Sequence, residues 1–141
     1  MTKTNTNLLC ERVESALNQL NLDELEKTSV TDWKYTIQGI SAQIVVADVL
    51  QNDAPYLLFY FKVVELEEKQ KSLVLEELMK ANMQLTMKYG LMENRVIQAA
   101  EFAQTSHLSV ENILSTISVY SQHVLTTRKD IQRLIDENGV G

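Results

Sequence analysis

Hydrophobic residues recur along this chain with two different spacings, and the change of spacing marks the predicted elements. Over residues 7–21 apolar residues recur every three or four positions with charged residues between them, which predicts an amphipathic helix. From Trp33 onward the chain is rich in β-branched and aromatic residues, which predicts strands. The stretch 21–32 is polar and contains many turn-forming residues, so we expect a connection there.

Three strands are predicted in succession, at about 33–38, 40–49 and 56–64. Gly39 separates the first two strands. The segment 51–55, which ends in the only proline of the chain, separates the second and third. Short connections of this kind join antiparallel neighbours, so we expect an antiparallel sheet.

The second half of the chain returns to helical spacing twice. A helix is predicted at about 68–83, and an extended, turn-containing stretch at 84–102 predicts a second hairpin. Ser109 is a good N-cap for a long amphipathic helix that ends near Asp136. The predicted order is therefore α-β-β-β-α-β-β-α.

This order predicts an α+β fold in which helices pack against an antiparallel sheet. At 141 residues the chain is long enough for one domain and short for two. We expect a single domain over 1–141, with a core at about 8–136 and frayed ends at 1–6 and 137–141.

Composition narrows the classes of partner. The chain is 45% hydrophobic and 23% charged, which is typical of a folded globular protein. Its net charge of −6 disfavours nucleic acid, because its 13 Lys and Arg residues are scattered. No apolar run reaches the roughly 18 residues of a membrane helix, and no signal-peptide core is visible. A single cysteine, Cys10, excludes an internal disulfide, so we expect a cytoplasmic protein without membrane insertion.

Catalytic and metal-binding motifs are not found in the sequence. His107 and His123 are the only histidines, and neither has another His or Cys at metal-ligand spacing. The four glycines are too far apart for a phosphate-binding loop. Cys10 lacks a cationic context strong enough to indicate a lowered thiol pKa. We therefore predict no catalytic residue, no metal site and no cofactor.

The strand at 56–64, within the stretch PYLLFYFKVV, is apolar on both of its faces. One face, predicted to be buried, contains Leu57, Phe59, Phe61 and Val63. The other face contains Tyr56, Leu58, Tyr60 and Lys62. Tyrosines with an apolar body and a polar tip are enriched at protein interfaces. Either a helix of the same chain covers this second face, or another molecule does, and the pattern leaves both alternatives open.

The middle predicted helix also has an apolar stripe wider than a single packing face requires. It is either a well-buried helix or one that contacts both the sheet and a second copy of the chain. The candidate residues for a partner or dimer interface are Tyr56, Leu58, Tyr60, Val74, Met79 and Met83.

Four stretches of the chain together resemble a known family. They are VVADVL followed by PYLLFYFKV, VLEELMKANMQL, KYGLMENRVIQAAEF and LSVENIL. In this combination the chain resembles the YbjN-like proteins, which share their fold with the class I type III secretion chaperones of bacteria (the CesT type). The resemblance covers roughly residues 8–136 and consists of hydrophobic pattern, not of catalytic residues.

The resemblance implies a small acidic cytoplasmic protein without enzymatic activity, usually a homodimer, that binds or regulates another protein. The alternative is a small-ligand sensor or an enzyme that uses a pocket beside the sheet. The residues to inspect for such a pocket are Trp33, Tyr35, Tyr56, Tyr60 and His107.

Overall fold

The structure, a computed structural model, describes residues 3–82, 88–92, 96–104 and 108–139. Its elements in chain order are α1 (Asn5–Gln19), β1 (Glu24–Ser29), β2 (Asp32–Ile37), β3 (Ile40–Ala47), β4 (Tyr56–Glu65), α2 (Lys71–Asn82), β5 (Lys88–Met92), β6 (Val96–Gln104) and α3 (Val110–Glu137). A short 3₁₀ turn over Glu68–Gln70 leads into α2.

The strands form one six-stranded sheet in the order β1-β2-β3-β4-β6-β5. Every neighbouring pair of strands is antiparallel. This confirms the predicted α+β class, in which helices pack against an antiparallel sheet. The β2–β3 connection is a tight turn in which Gln38 and Gly39 have φ values of 52° and 77°, as two-residue hairpin loops require.

One element was missed by the sequence prediction, which placed three strands before the middle helix where the structure has four. Strand β1 lies within the stretch 21–32 that was predicted to be a polar connection. All six of its residues are exposed, so no face of it is buried and no alternation of apolar and polar residues arises. Pairing with β2, for example Leu25 opposite Tyr35, makes it a strand.

The core lies between one face of the sheet and the helices α1 and α3. The apolar face of β4 is completely buried, as its two-residue period predicts; its residues are Leu57, Phe59, Phe61 and Val63. Tyr120 of α3 packs edge-to-face on Phe59, with ring centroids 5.4 Å apart. Helix α1 contributes the buried residues Leu9, Val13, Ala16 and Leu17.

Helix α3 is joined to the sheet at an irregularity in β4. The register between β4 and β6 shifts between Lys62 and Val64, which leaves a bulge at Val63. Arg128 of α3 donates from Nε to the carbonyl oxygen of Val63 at 2.6 Å and from Nη2 to that of Lys62 at 3.1 Å. One guanidinium therefore binds both carbonyls at the point where the ladder is disrupted.

The edge strand β5 is joined to α2 by the side chain of Asn82. The Asn82 amide donates to the carbonyl of Tyr89 at 2.9 Å and accepts from the backbone N–H of Tyr89 at 2.8 Å. The hydroxyl of Tyr89 lies 2.7 Å from that of Thr127 in α3. These bonds hold the edge strand against both neighbouring helices.

The N terminus of α1 is bound to the loop between β3 and β4. The Asp53 carboxylate accepts from the backbone N–H groups of Asn5 and Thr6 at 2.8 and 2.9 Å. Thr4 caps the same helix by accepting from the N–H of Asn7. Because two of the first N–H groups bind a carboxylate, α1 begins at Asn5, within the segment for which we expected fraying.

Candidate protein-binding surface

The face of β3 and β4 that points away from the core includes six partly exposed residues. We call this surface the open face; its residues are Gln43, Val45, Ala47, Tyr56, Leu58 and Tyr60. Strand pairing places Val45 directly opposite Leu58 and Ala47 opposite Tyr56. Side chains opposite each other in this way are neighbours on the sheet surface. The open face is therefore a continuous patch on two central strands.

The open face changes from apolar to polar along the strands. Toward the loop between β3 and β4 it is formed by aliphatic and tyrosine side chains. At the other end it is bordered by the exposed residues Lys34, Ser41 and Lys62. An open depression of about 220 Å³ lies at this end, and Tyr60 forms part of its wall. Apolar surface beside a polar border is typical of the composition of a protein interface.

Strand β1 extends the polar border, and sequence reasoning missed this part of the surface. Pairing places Glu26 opposite Lys34 and Glu24 opposite Thr36. A depression of about 290 Å³ lies along these strands, with both glutamates among its walls. The charged sequence of β1 has no buried face and therefore no alternating pattern. Its position between a helix and a predicted strand was the one feature that could have indicated a strand.

The candidate residues of α2 have different positions in the structure. Val74 is completely buried, so it packs within the chain and is not accessible to a partner. Met79 has 70% of its surface exposed. Leu75, one helical turn before Met79, is partly buried. Met83 lies outside the described residues. The exposed apolar part of α2 therefore centres on Met79.

The residues proposed for a ligand pocket are not brought together. Trp33 and Tyr35 lie on the core face and are 1% and 3% exposed, whereas Tyr56 and Tyr60 lie on the open face. His107 lies outside the described residues. The sheet itself separates the two pairs, so these four side chains do not line one cavity.

The two buried aromatic residues on β2 are part of the core. Within the described part of the chain, Trp33 Nε1 and the Tyr35 hydroxyl have no hydrogen-bond partner. Burial raises the pKa of the Tyr35 phenol well above its ordinary value of 10.0. A neutral, buried phenol is not a proton donor or acceptor for a ligand in solvent.

Other chemistry was also sought in the described residues. Within them, no group of three or more His, Cys, Asp and Glu side chains is placed to hold a metal ion. Burial raises the pKa of the Cys10 thiol, which disfavours the reactive thiolate. In the same residues, no helix combines the length and apolarity needed to span a membrane.

Comparisons with known proteins identify the fold. No protein-family model matches the chain, and no curated protein matches its sequence. Its structure is similar to that of the type III secretion chaperone SycH of Yersinia pestis, which was solved in complex with a stable fragment of YscM2. The TM-score is 0.60 at 14% identity, over 84% of this chain and 98% of the chaperone.

A second solved structure, the HopA1–SchA chaperone–effector complex, is also similar. The TM-score is 0.65 at 11% identity, over 92% of this chain and 99% of the other. The chain therefore has a type III secretion chaperone-like fold. The resemblance to YbjN-like proteins finds no support in the family models or the curated sequences.

Proposed function

We propose that this protein is a non-enzymatic module that binds a segment of another polypeptide on the open face. The central observation is that Tyr56, Leu58 and Tyr60 remain partly exposed on strand β4, whose other face is completely buried. The chaperone-like fold supports the proposal, because both similar proteins were solved in complex with other proteins.

The chemistry of the open face fits an extended peptide. Leu58 and Val45 offer aliphatic area, and the tyrosines offer rigid rings with a hydroxyl that forms hydrogen bonds. At the border, Lys62 pairs with Glu65 at 3.8 Å and Lys34 lies opposite Glu26, so charges of both signs are present there. A bound segment that places apolar residues over the aliphatic and tyrosine side chains and polar residues over this border would satisfy both parts of the face.

We further propose that the protein is a cytoplasmic homodimer in which α2 contacts its counterpart. Met79 is 70% exposed and lies one turn from the partly buried Leu75. Large side chains with this exposure are favourable to bury in an interface. The regulatory role implied by the YbjN-like resemblance uses the same surfaces and remains a prediction.

Substitution of the open face tests partner binding. Tagged protein is used to capture partners from the native host, with the Leu58→Asp variant beside the parent chain. We expect Leu58→Asp to abolish capture, because a buried carboxylate without a partner is strongly unfavourable in an interface. Ser41→Asp is the matched control, since Ser41 is an exposed, polar residue at the border. Equal capture by the parent and Leu58→Asp would contradict the proposal.

Sedimentation at micromolar concentration tests the dimer. We expect a species of twice the 16.1 kDa chain mass. Met79→Asp should convert it to monomer, whereas Ser72→Asp on the same helix should not. A parent chain that sediments only as a monomer would show that the homodimer is wrong and would leave partner binding untouched.

A further inference from the structure

Helix α3 ends in an asparagine that is followed by a glycine. Asn138 is the only asparagine of the sequence that precedes a glycine, and both residues are exposed. Asparagine is a thermolabile residue, because its side-chain amide can lose ammonia. A following glycine favours this reaction, since it has no side chain to hinder its backbone nitrogen and its backbone rotates freely. The exposed end of α3 is therefore a candidate site of covalent modification.

Deamidation at this site consumes only water. The backbone nitrogen of Gly139, once deprotonated, attacks Cγ of Asn138. The bond from Cγ to Nδ2 then breaks, so that ammonia leaves and a succinimide ring remains. Water opens the ring at either of its carbonyls, which gives aspartate or an isoaspartate whose backbone is longer by a methylene group. No atom is oxidised or reduced.

The fold holds the two reacting groups apart. The ψ angle of Asn138 is 3°, which turns the nitrogen of Gly139 toward the backbone nitrogen of Asn138 and away from its side chain. The Asn138 amide donates from Nδ2 to the carbonyl of Leu134 at 2.8 Å. The N–H of Gly139 donates to the carbonyl of Asp136 at 3.3 Å. The succinimide can therefore form only when the last turn of α3 opens.

Conversion to aspartate changes the charge at the end of the helix. The C terminus of a helix carries a partial negative charge, and the last turn of α3 contains Asp136 and Glu137 but no basic residue. A carboxylate at position 138 adds another negative charge there. It also cannot donate to the carbonyl of Leu134, as the amide of Asn138 does. The product therefore favours the opened turn.

The same turn takes part in the contact between α3 and α2. Ile135 is 3% exposed and belongs to the core. Leu134 and Leu78 of α2 both line an open depression of about 330 Å³ whose walls come from these two helices. Opening of the last turn therefore loosens the end of α3 at the place where it meets α2.

We propose that Asn138 is a site of spontaneous deamidation whose rate is set by opening of the last turn of α3, and that the reaction loosens this turn once it has occurred. The product does not regain ammonia in water, so the change accumulates over the lifetime of each molecule. The site does not involve the open face, and its test therefore stands apart from that of the proposed function.

Peptide mass spectrometry tests the reaction. The intact chain and a free peptide of residues 134–141 are incubated side by side in mildly alkaline buffer, and trypsin, which cleaves after Arg133, releases the same segment from the chain. We expect the intact chain to deamidate about tenfold more slowly than the peptide, because the helix end must first open, and to reach the rate of the peptide in urea. Asn112 is the internal control and should keep its amide, because it is exposed in the first turn of α3 but precedes Ile113.

Substitution of Glu137, which is exposed in the last turn, tests whether opening limits the rate. Each rate is divided by that of the free peptide with the same substitution. Glu137→Gly should then deamidate about fivefold faster than Glu137→Ala, because glycine is much the poorer helix former. Equal rates in the two variants, or an intact parent chain that reacts as fast as its peptide, would overturn the role of the last turn. An intact chain that stays unmodified while the free peptide converts completely would overturn the site itself.

The Asn138→Asp variant tests the consequence, because it reproduces the aspartate product. We expect faster hydrogen exchange over residues 134–138 and a melting temperature lower by about 1–4 °C. Asn112→Asp is the matched control, since it makes the same change in the first turn of α3, where a helix favours negative charge; its melting temperature should not fall. Unchanged exchange in Asn138→Asp, or an equal fall in melting temperature in both variants, would show that deamidation does not loosen the turn.

Discussion

The two faces of strand β4 alternate residue by residue, yet they differ in the use of their apolar surface. On one face Phe59 and Phe61 are completely buried under α3, and Tyr120 packs against both rings. On the other, Leu58 and Tyr60 are only partly buried. Apolar surface removed from water within the chain stabilises the fold, whereas apolar surface still in contact with water is available for binding. Similar residues on one strand therefore differ in whether the fold removes them from water.

Truncation of adjacent residues on the two faces tests this difference most strongly. Phe59→Ala should lower the free energy of unfolding by about 3–5 kcal/mol, because it leaves a cavity in a closed core. Leu58→Ala should cost less than about 1.5 kcal/mol, because the remaining side chains and solvent fill the space on the open face. Urea unfolding followed by circular dichroism measures both values.

An equal and large loss in both variants would contradict the comparison. It would mean that Leu58 is part of the core and that the open face is covered within the chain. A loss in Leu58→Ala that grows with protein concentration would instead indicate that a second copy covers the face, since association then contributes to stability.

Substitution of Arg128 extends the comparison of the two faces of β4, because Arg128 joins α3 to the bulge in that strand. Arg128→Met removes two bonds from a charged donor and leaves the carbonyls of Lys62 and Val63 without it. We expect a loss of about 1.5–3 kcal/mol in the free energy of unfolding. Arg133→Met on the same helix is the control, because Arg133 is largely exposed and pairs with the exposed Asp130 at 3.8 Å. That variant should lie within about 0.5 kcal/mol of the parent. Equal losses would contradict a specific role for the bulge contact.

The buried face was predictable from the sequence because its signal is local. In β4 the period of two sorts Leu57, Phe59 and Phe61 onto one side, and the structure buries all three completely. The same alternation placed Tyr56, Leu58 and Tyr60 on the opposite face, for which the sequence left open whether this chain or another molecule covers it. These residues are partly exposed. Where a face is buried, the pattern of the sequence records it.

The remaining features could not be predicted because they depend on contacts between distant parts of the chain. Strand β1 has no buried face and becomes a strand only by pairing with β2. Asp53 binds Asn5, 48 positions away, and Arg128 binds the carbonyl of Val63, 65 positions away. Neither contact follows the period of a strand or a helix, so the sequence pattern does not record it.

Substitution of Asp53 tests how the N terminus of α1 is held at the end of the sheet. Asp53→Asn replaces the carboxylate with a group that has one acceptor oxygen, so one of the N–H groups of Asn5 and Thr6 loses its partner. We expect the melting temperature at neutral pH to fall by about 2–6 °C. Asp23→Asn makes the same chemical change at an exposed position and should leave it unchanged. Equal effects would indicate that net charge, not the bond to α1, is responsible.

The pH dependence of this effect identifies its cause. Hydrogen bonds from the backbone N–H groups of Asn5 and Thr6 hold the pKa of the Asp53 carboxyl below its ordinary value of 3.8. A carboxyl whose pKa is lower in the folded state stabilises the fold above its unfolded pKa, and this stabilisation is lost as the pH falls through the folded pKa. The difference in melting temperature between the parent and Asp53→Asn should therefore be constant from about pH 7 to about pH 5 and shrink below about pH 4. A difference that persists unchanged in strong acid would show that the charge of the carboxylate does not hold α1 against the sheet.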